Sequence, residues 1–260
     1  IRGGARPEFD LYCPLMSLPR AFNTTLEDIP FTGKYLSTDP KKVHFWEGRL
    51  GLKRSRRVGV VWSGAAKHGN DHNRSIALAD LVPIMGGFCE WHSLQTEYRP
   101  HDWDVLQETA RIYQHQDELH DFSDTAALIE CLDLVITVDT SVAHLAGALG
   151  KPVWIMLPKV PDFRWLLDRD NSPWYESARL YRQSQQGDWS DVLITLKKDL
   201  ENKLPLLTDS DDGSLSGYDI GKCKFPKPHQ EARFGLNTSI SNDVSYSKSL
   251  KSELSDTGLL

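Results

Sequence analysis

Between residues 57 and 204, short apolar runs alternate with longer stretches of amphipathic pattern. Arg57-Val58-Gly59-Val60-Val61-Trp62 is a β-branched run stopped by Ser63-Gly64, the mark of a strand followed by a turn. Leu134-Val135-Ile136-Thr137-Val138 is the clearest strand, and Val153-Trp154-Ile155-Met156-Leu157 follows Lys151-Pro152. Residues 89–94 and the weaker runs 111–114 and 179–181 complete the strand set. Between them, 77–85, 103–110, 141–149 and 189–200 read as helices. Asp121, Ser123, Asp124 and Thr125 offer N-caps to a further helix ending at Leu132, and Gly150 stops the helix of 141–149. Strands alternating with helices of about ten residues predict an α/β fold, a Rossmann-like parallel sheet with helices on both faces. The near-continuous apolar strands fit a sheet covered on both sides.

The flanks differ from this middle part. Residues 1–56 are irregular, with scattered Pro and Gly, and read as a linker with the remnant of a preceding half. Residues 205–260 are serine-rich and charged, without a sustained period of 2 or 3.6. Such a stretch buries too little apolar surface to offset its ordering entropy and is expected to be disordered. It also accounts for a mean hydropathy of −0.43, low for a packed enzyme. The domain expectation is thus 1–56, 57–204 and 205–260. The chain opens at Ile1 without a charged-then-apolar leader and reads as a piece of a longer protein.

Composition excludes several classes. Hydrophobic residues make up 40% of the 260, enough for a core, so global disorder is excluded. A formal net charge of −6 argues against a nucleic-acid partner. No apolar run reaches the ~18 residues needed to cross a bilayer, so no transmembrane segment is expected. The four cysteines form no CxxC pair and no cluster with zinc spacing. Cys89 and Cys131 sit in apolar segments as small buried hydrophobes, which favours a reducing compartment and a cytoplasmic location.

In open parallel sheets ligands bind beyond the carboxyl ends of the strands, so those loops carry the candidate chemistry. The loop after the first strand, 63–75, is long and polar. It contains Ser63 and Gly64, with Gly64 suited to close backbone approach, and Lys67 and Arg74 suited to phosphate. It holds neither GxxxxGK[ST] nor GxGxxG. Gln95, after the second strand, is placed for a ribose hydroxyl or a base edge, or is an exposed amide. After the strand at 134–138 comes Asp139-Thr140-Ser141-Val142-Ala143-His144. Asp139, Thr140 and Ser141 supply an N-cap and free amides that, with the helix dipole, make an anion site. His144 falls in the first turn. The small residues Ala143, Ala146, Gly147 and Ala148 let this helix pack closely on the sheet. Residues 158–175 are dense in Arg and aromatic side chains and form either a lid over a ligand or a packed-down surface loop.

The stretch 139–150 followed by Lys151-Pro152-Val153 resembles the C-terminal half of family 9 glycosyltransferases, the heptosyltransferase-like group. It is most similar to bacterial proteins in which such a domain follows tetratricopeptide repeats. Residues 9–19, Val61-Trp62-Ser63-Gly64, Asn70-Asp71, Arg74-Ser75-Ile76, 168–175 and Gly187-Asp188-Trp189 carry the same resemblance. The resemblance implies the C-terminal half of a GT-B glycosyltransferase, which binds a nucleotide-diphosphate sugar and transfers the sugar to a hydroxyl of a glycan or protein acceptor. It implies no cofactor and no metal. It also implies a missing N-terminal α/β half that supplies the catalytic base, with repeats upstream. Asp139, Thr140, Ser141, Val142, Ala143 and His144 match the donor-diphosphate stretch, with Ser141 where the pattern has Gly. Lys67 is nearest to a phosphate-binding Lys. His144 and Lys67 are therefore the catalytic candidates, with Ser63, Gly64, Arg74, Gln95 and 139–143 as donor-binding candidates. The alternative is a non-catalytic nucleotide-binding or scaffold module derived from such a domain.

Overall fold

The structure, a computed structural model, describes residues 8–30, 33–109 and 111–203; the stretch 205–260, read above as disordered, lies outside them. Among the described residues a 3₁₀ turn (Leu15–Ser17) and two α-helices precede the sheet, α1 (Leu18–Ala21) and α2 (Pro40–Leu50). The sheet is built from β1 (Arg56–Val61), β2 (Cys89–Ser93), β3 (Ile112–Tyr113), β4 (Leu134–Val138), β5 (Val153–Leu157) and β6 (Ala178–Arg182). Between and after the strands lie α3 (Asp71–Arg74), α4 (Leu78–Leu81), α5 (Pro100–Glu108), α6 (Phe122–Glu130), α7 (Ser141–Ala148) and α8 (Ser190–Lys203).

All five strand pairings are parallel, in the order β3-β2-β1-β4-β5-β6. The chain starts in the middle at β1, builds outward to β3, returns to β4 and builds the other way. Right-handed crossovers then place the two sets of connections on opposite faces. Side-chain alternation follows. Val58, Val60, Trp62, Leu134, Ile136, Val138, Trp154 and Met156 pack with α4, α5 and α8 on one face. Val61, Val135, Val153, Ile155 and Leu157 pack with α2, α6 and α7 on the other.

Several elements differ from the sequence reading. Residues 77–85 form only the four residues of α4 plus a 3₁₀ turn at Val82–Ile84, because Pro83 removes a backbone donor. The helix expected at 103–110 starts earlier, at Pro100, where Pro occupies a first-turn position and the Asp102 carboxylate accepts from the Arg99 amide at 2.8 Å. α2 lies inside the stretch read as irregular. Asp39 caps it by accepting from Lys41 N at 2.9 Å, Pro40 begins it, and Val43, Trp46 and Leu50 form its apolar stripe. Lys42 reaches across to Asp124 at 2.6 Å and Asp121 at 3.3 Å, the capping-box residues of α6. Just before α2, the amides of Tyr35 and Leu36 donate to the Ala148 carbonyl at 3.0 and 3.1 Å. That satisfies the last turn of α7 and fixes the preceding segment to the domain.

A buried histidine pair joins β2 to the chain after β3. His92 Nδ1 lies 3.1 Å from His115 Nε2, and the rings stack with centroids 5.4 Å apart. Trp46 of α2 packs edge-on against His115, and Tyr113 stacks on His92. Glu90 lies 3.8 Å from His92 and Glu118 3.6 Å from His115. Burial pushes His92 below the usual histidine range and His115 down to about 4. The native state therefore holds fewer protons here than the unfolded chain, whose histidines titrate near ~6.5. The stability the pair contributes is present above that value and is lost as pH falls toward the folded values. We expect Tm to drop between about pH 6.5 and about 4, with a weaker pH dependence in His115→Gln. An equal slope in the variant would remove the pair as the cause.

Candidate functional site

Strand order reverses between β1 and β4, so the carboxyl ends of these two strands open a crevice where a ligand would sit. Each wall is built by the loop that leaves one strand.

The β4 wall is the start of α7. Val138 leads through Asp139 and Thr140 into Ser141, whose amide and that of Val142 have no carbonyl partner within the helix. These amides and the helix dipole favour an anion. Thr140 holds the N-cap position but makes no cap bond; its hydroxyl lies 3.1 Å from that of Thr137. The end of the helix is thereby left open. Ser141 is exposed, whereas Val142 and Ala143 are buried, so only their backbone faces the crevice. Ala143, Ala146 and Ala148 pack into the core, as small residues on this face were expected to do.

His144 sits one turn in. Its Nδ1 is 3.0 Å from the Tyr175 hydroxyl, and its ring stacks on Trp165 with centroids 5.0 Å apart and planes 17° from parallel. Nε2 has no hydrogen-bond partner among the described residues and is not enclosed. Burial holds the imidazole below the usual histidine range against the opposing pull of Asp139, so it is neutral at pH 7. Trp165 and Tyr175 come from 158–175, the stretch read as lid or packed loop. Its Trp165 and Tyr175 are packed down and buried, as the surface-loop reading has it, while Val160, Phe163 and Leu167 are exposed. A Cβ on Gly147 would stand 2.3 Å from the Tyr175 ring, so glycine is what lets Tyr175 reach the helix. Trp165 and Tyr175 were not singled out in the sequence; the aromatic density was visible, but not which ring reaches 21 or 31 residues back.

The β1 wall is the loop 63–75, whose end folds into α3. Gly64 does allow a close approach, but by the protein itself. A Cβ there would stand 2.3 Å from Arg74 Nη2 and 2.6 Å from Asp71 Oδ1. Arg74 Nη1 donates to the Asp139 carbonyl at 2.6 Å and Nε to Asp71 at 3.4 Å. Arg99 binds the other Asp71 oxygen, and Ser75 Oγ donates to Asp71 at 3.0 Å while accepting from Gly64 N at 3.1 Å. Arg74, expected on phosphate, thus has two of its donors committed to the frame that joins the loops of β1 and β4. Gln95 is buried, not exposed. Its Nε2 donates to the carbonyl and hydroxyl of Ser63, both at 2.9 Å. Ser63 and Gln95 therefore clamp the ends of β1 and β2 together. Lys67 is exposed and makes no side-chain bond among the described residues, so its ammonium is free to meet an anion.

Among the described residues no group of three or more His, Cys, Asp or Glu could hold a metal ion, and no helix is long and apolar enough to cross a membrane. Cys13, Cys89 and Cys131 are free; burial pushes the Cys89 thiol up to about 12, which leaves it inert.

Residues 120–156, which run from the cap of α6 through β4 and α7 into β5, match the model of glycosyltransferase family 9 (heptosyltransferase). Protein FlbA of Caulobacter vibrioides is 26% identical over 200 residues, covering 71% of this chain and 32% of that protein. The chain therefore spans about a third of the length of this relative. Two solved structures are similar. One is the ADP-heptose LPS heptosyltransferase II of E. coli, at 17% identity and TM-score 0.47, covering 70% of this chain and 57% of the other. The second is a family 9 glycosyl transferase of Veillonella parvula DSM 2008, at 12% identity and TM-score 0.47, covering 73% and 58%.

The frame around Gly64 makes a direct prediction. Gly64→Val drives a side chain into Arg74 and Asp71 and is expected to destabilise the chain by about 1–3 kcal/mol in urea unfolding. A loss below about 0.5 kcal/mol, the scale of a surface substitution, would contradict the close packing described here.

Proposed function

We propose that this chain is the donor-binding half of a GT-B glycosyltransferase, which transfers a sugar from a nucleotide-diphosphate sugar to an acceptor hydroxyl. The observation that carries the reading is the open N-terminus of α7 at the strand-order reversal, with His144 Nε2 facing out one turn away. The family-model match over the same unit supports the class of reaction.

In such a transfer the bond between the anomeric carbon and the diphosphate oxygen breaks, and a bond from the acceptor oxygen to that carbon forms. Negative charge grows on the departing diphosphate through an oxocarbenium-like transition state. In this reading the amides of Ser141 and Val142 and the imidazole Nε2–H of His144 bind the phosphoryl oxygens, and Lys67 adds a full charge. The transfer then needs neither metal nor cofactor. Each charge-assisted contact is worth roughly 1.5–3 kcal/mol, and contacts that strengthen as the charge develops lower the barrier. Arg74 acts indirectly, by holding the Asp139 backbone in place. The acceptor, a glycan or protein, and the base that removes its proton belong to a preceding α/β half.

Nucleoside diphosphate binding tests this reading. Millimolar UDP, ADP or GDP should raise Tm, by the equivalent of about 2.7 kcal/mol at a hundred times Kd, and His144→Ala should remove most of that shift. Lys67→Ala should reduce it. No shift with any of the three nucleotides would overturn the reading and favour a non-catalytic module.

A further inference from the structure

The neighbours of His144 pose a question of tautomer. A neutral imidazole carries one N–H, and only the Nε2–H form presents a donor to an anion in the crevice. Nδ1 is occupied by the Tyr175 hydroxyl at 3.0 Å. Of the two ways to share a proton there, phenol O–H to imidazole nitrogen is stronger than imidazole N–H to phenol oxygen. Imidazole is the better acceptor and phenol the better donor. The surroundings favour the same direction. Burial keeps the Tyr175 hydroxyl protonated, with its hydrogen available to donate. Stacking on Trp165 and the Tyr175 ring seated on Gly147 fix the geometry on both sides.

We infer that Tyr175 is a positioning residue, which donates to His144 Nδ1 and so locks His144 as a neutral Nε2–H donor toward a diphosphate. The role assigned to the donor rests on the function proposed above; the tautomer does not. The charged groups around the ring are Asp139 at the head of α7 and Asp162 and Arg164 from the 158–175 segment. The two carboxylates favour protonation, while burial and Arg164 oppose it, so at pH 7.5 the ring is neutral and its tautomer can be read directly.

The experiment is ¹⁵N-histidine NMR of the full chain at pH 7.5, with His144 assigned by the signal missing in His144→Gln. The expected spectrum has His144 with its proton on Nε2. In Tyr175→Phe, which keeps the ring and its packing, the signal moves toward a mixture of tautomers, and affinity for a nucleoside diphosphate falls about 5- to 10-fold, the worth of one hydrogen bond. A wild-type His144 protonated on Nδ1, or a tautomer unchanged in Tyr175→Phe, overturns the inference. A wild-type chain that binds no nucleoside diphosphate overturns the proposed function instead, and the spectrum of the free chain still decides the role of Tyr175.

Discussion

Arg74 bridges the crevice on which the molecule is organised. Its guanidinium takes the Asp139 carbonyl from the end of β4 and the Asp71 carboxylate from its own short helix. Asp71 in turn is shared with Arg99 and Ser75. A parallel sheet leaves a gap where its strand order reverses, because the two flanking loops depart toward opposite faces. Something must hold those loops in register if the gap is to be a site rather than a soft seam. Here a half-buried charged network does so. Breaking one partner would leave a poorly solvated charge behind, and that asymmetry makes such networks rigid.

With the walls held, the elements at the crevice divide their tasks. Ser63 and Gln95 close the β1–β2 side, Arg74 fixes the start of α7, and the groups left over are those suited to an anion: unpaired amides, His144 Nε2 and the ammonium of Lys67. His144 is neutral, so what it can offer an anion is a directed N–H rather than a charge, and its ring is held by Trp165 and Tyr175. These two rings arrive from the connection between β5 and β6.

The sheet was legible because parallel strands buried on both faces must be apolar along their length, and 134–138 and 153–157 are. α7 was legible for a local reason: the cap residues Asp139, Thr140 and Ser141 precede a run of small residues that Gly150 stops. α2 carried a readable stripe at Val43, Trp46 and Leu50 and an Asp39-Pro40 start, but scattered Pro and Gly around it masked the period. Arg74 was read as a phosphate ligand because a sequence displays a charge and not its partner. Asp71, three residues earlier, was visible; the carbonyl of Asp139, 65 residues later, was not. Gly64 was singled out for close approach, yet an arginine and a carboxylate of the same chain, rather than a ligand, fill the space. Tyr175 and Trp165 lie in a stretch that the sequence left with two readings, because aromatic density alone does not say which rings turn inward.

In the function proposed above, the start of α7 is where this protein holds an anion. Backbone amide shifts followed by NMR during a nucleoside diphosphate titration test it most directly. The largest changes should fall on Ser141, Val142 and His144, with smaller ones at residues 64–67 across the crevice, and the β2–β3 edge around His92 and His115 should stay unmoved. Changes centred elsewhere, or no saturable change at Ser141 and Val142, would contradict it.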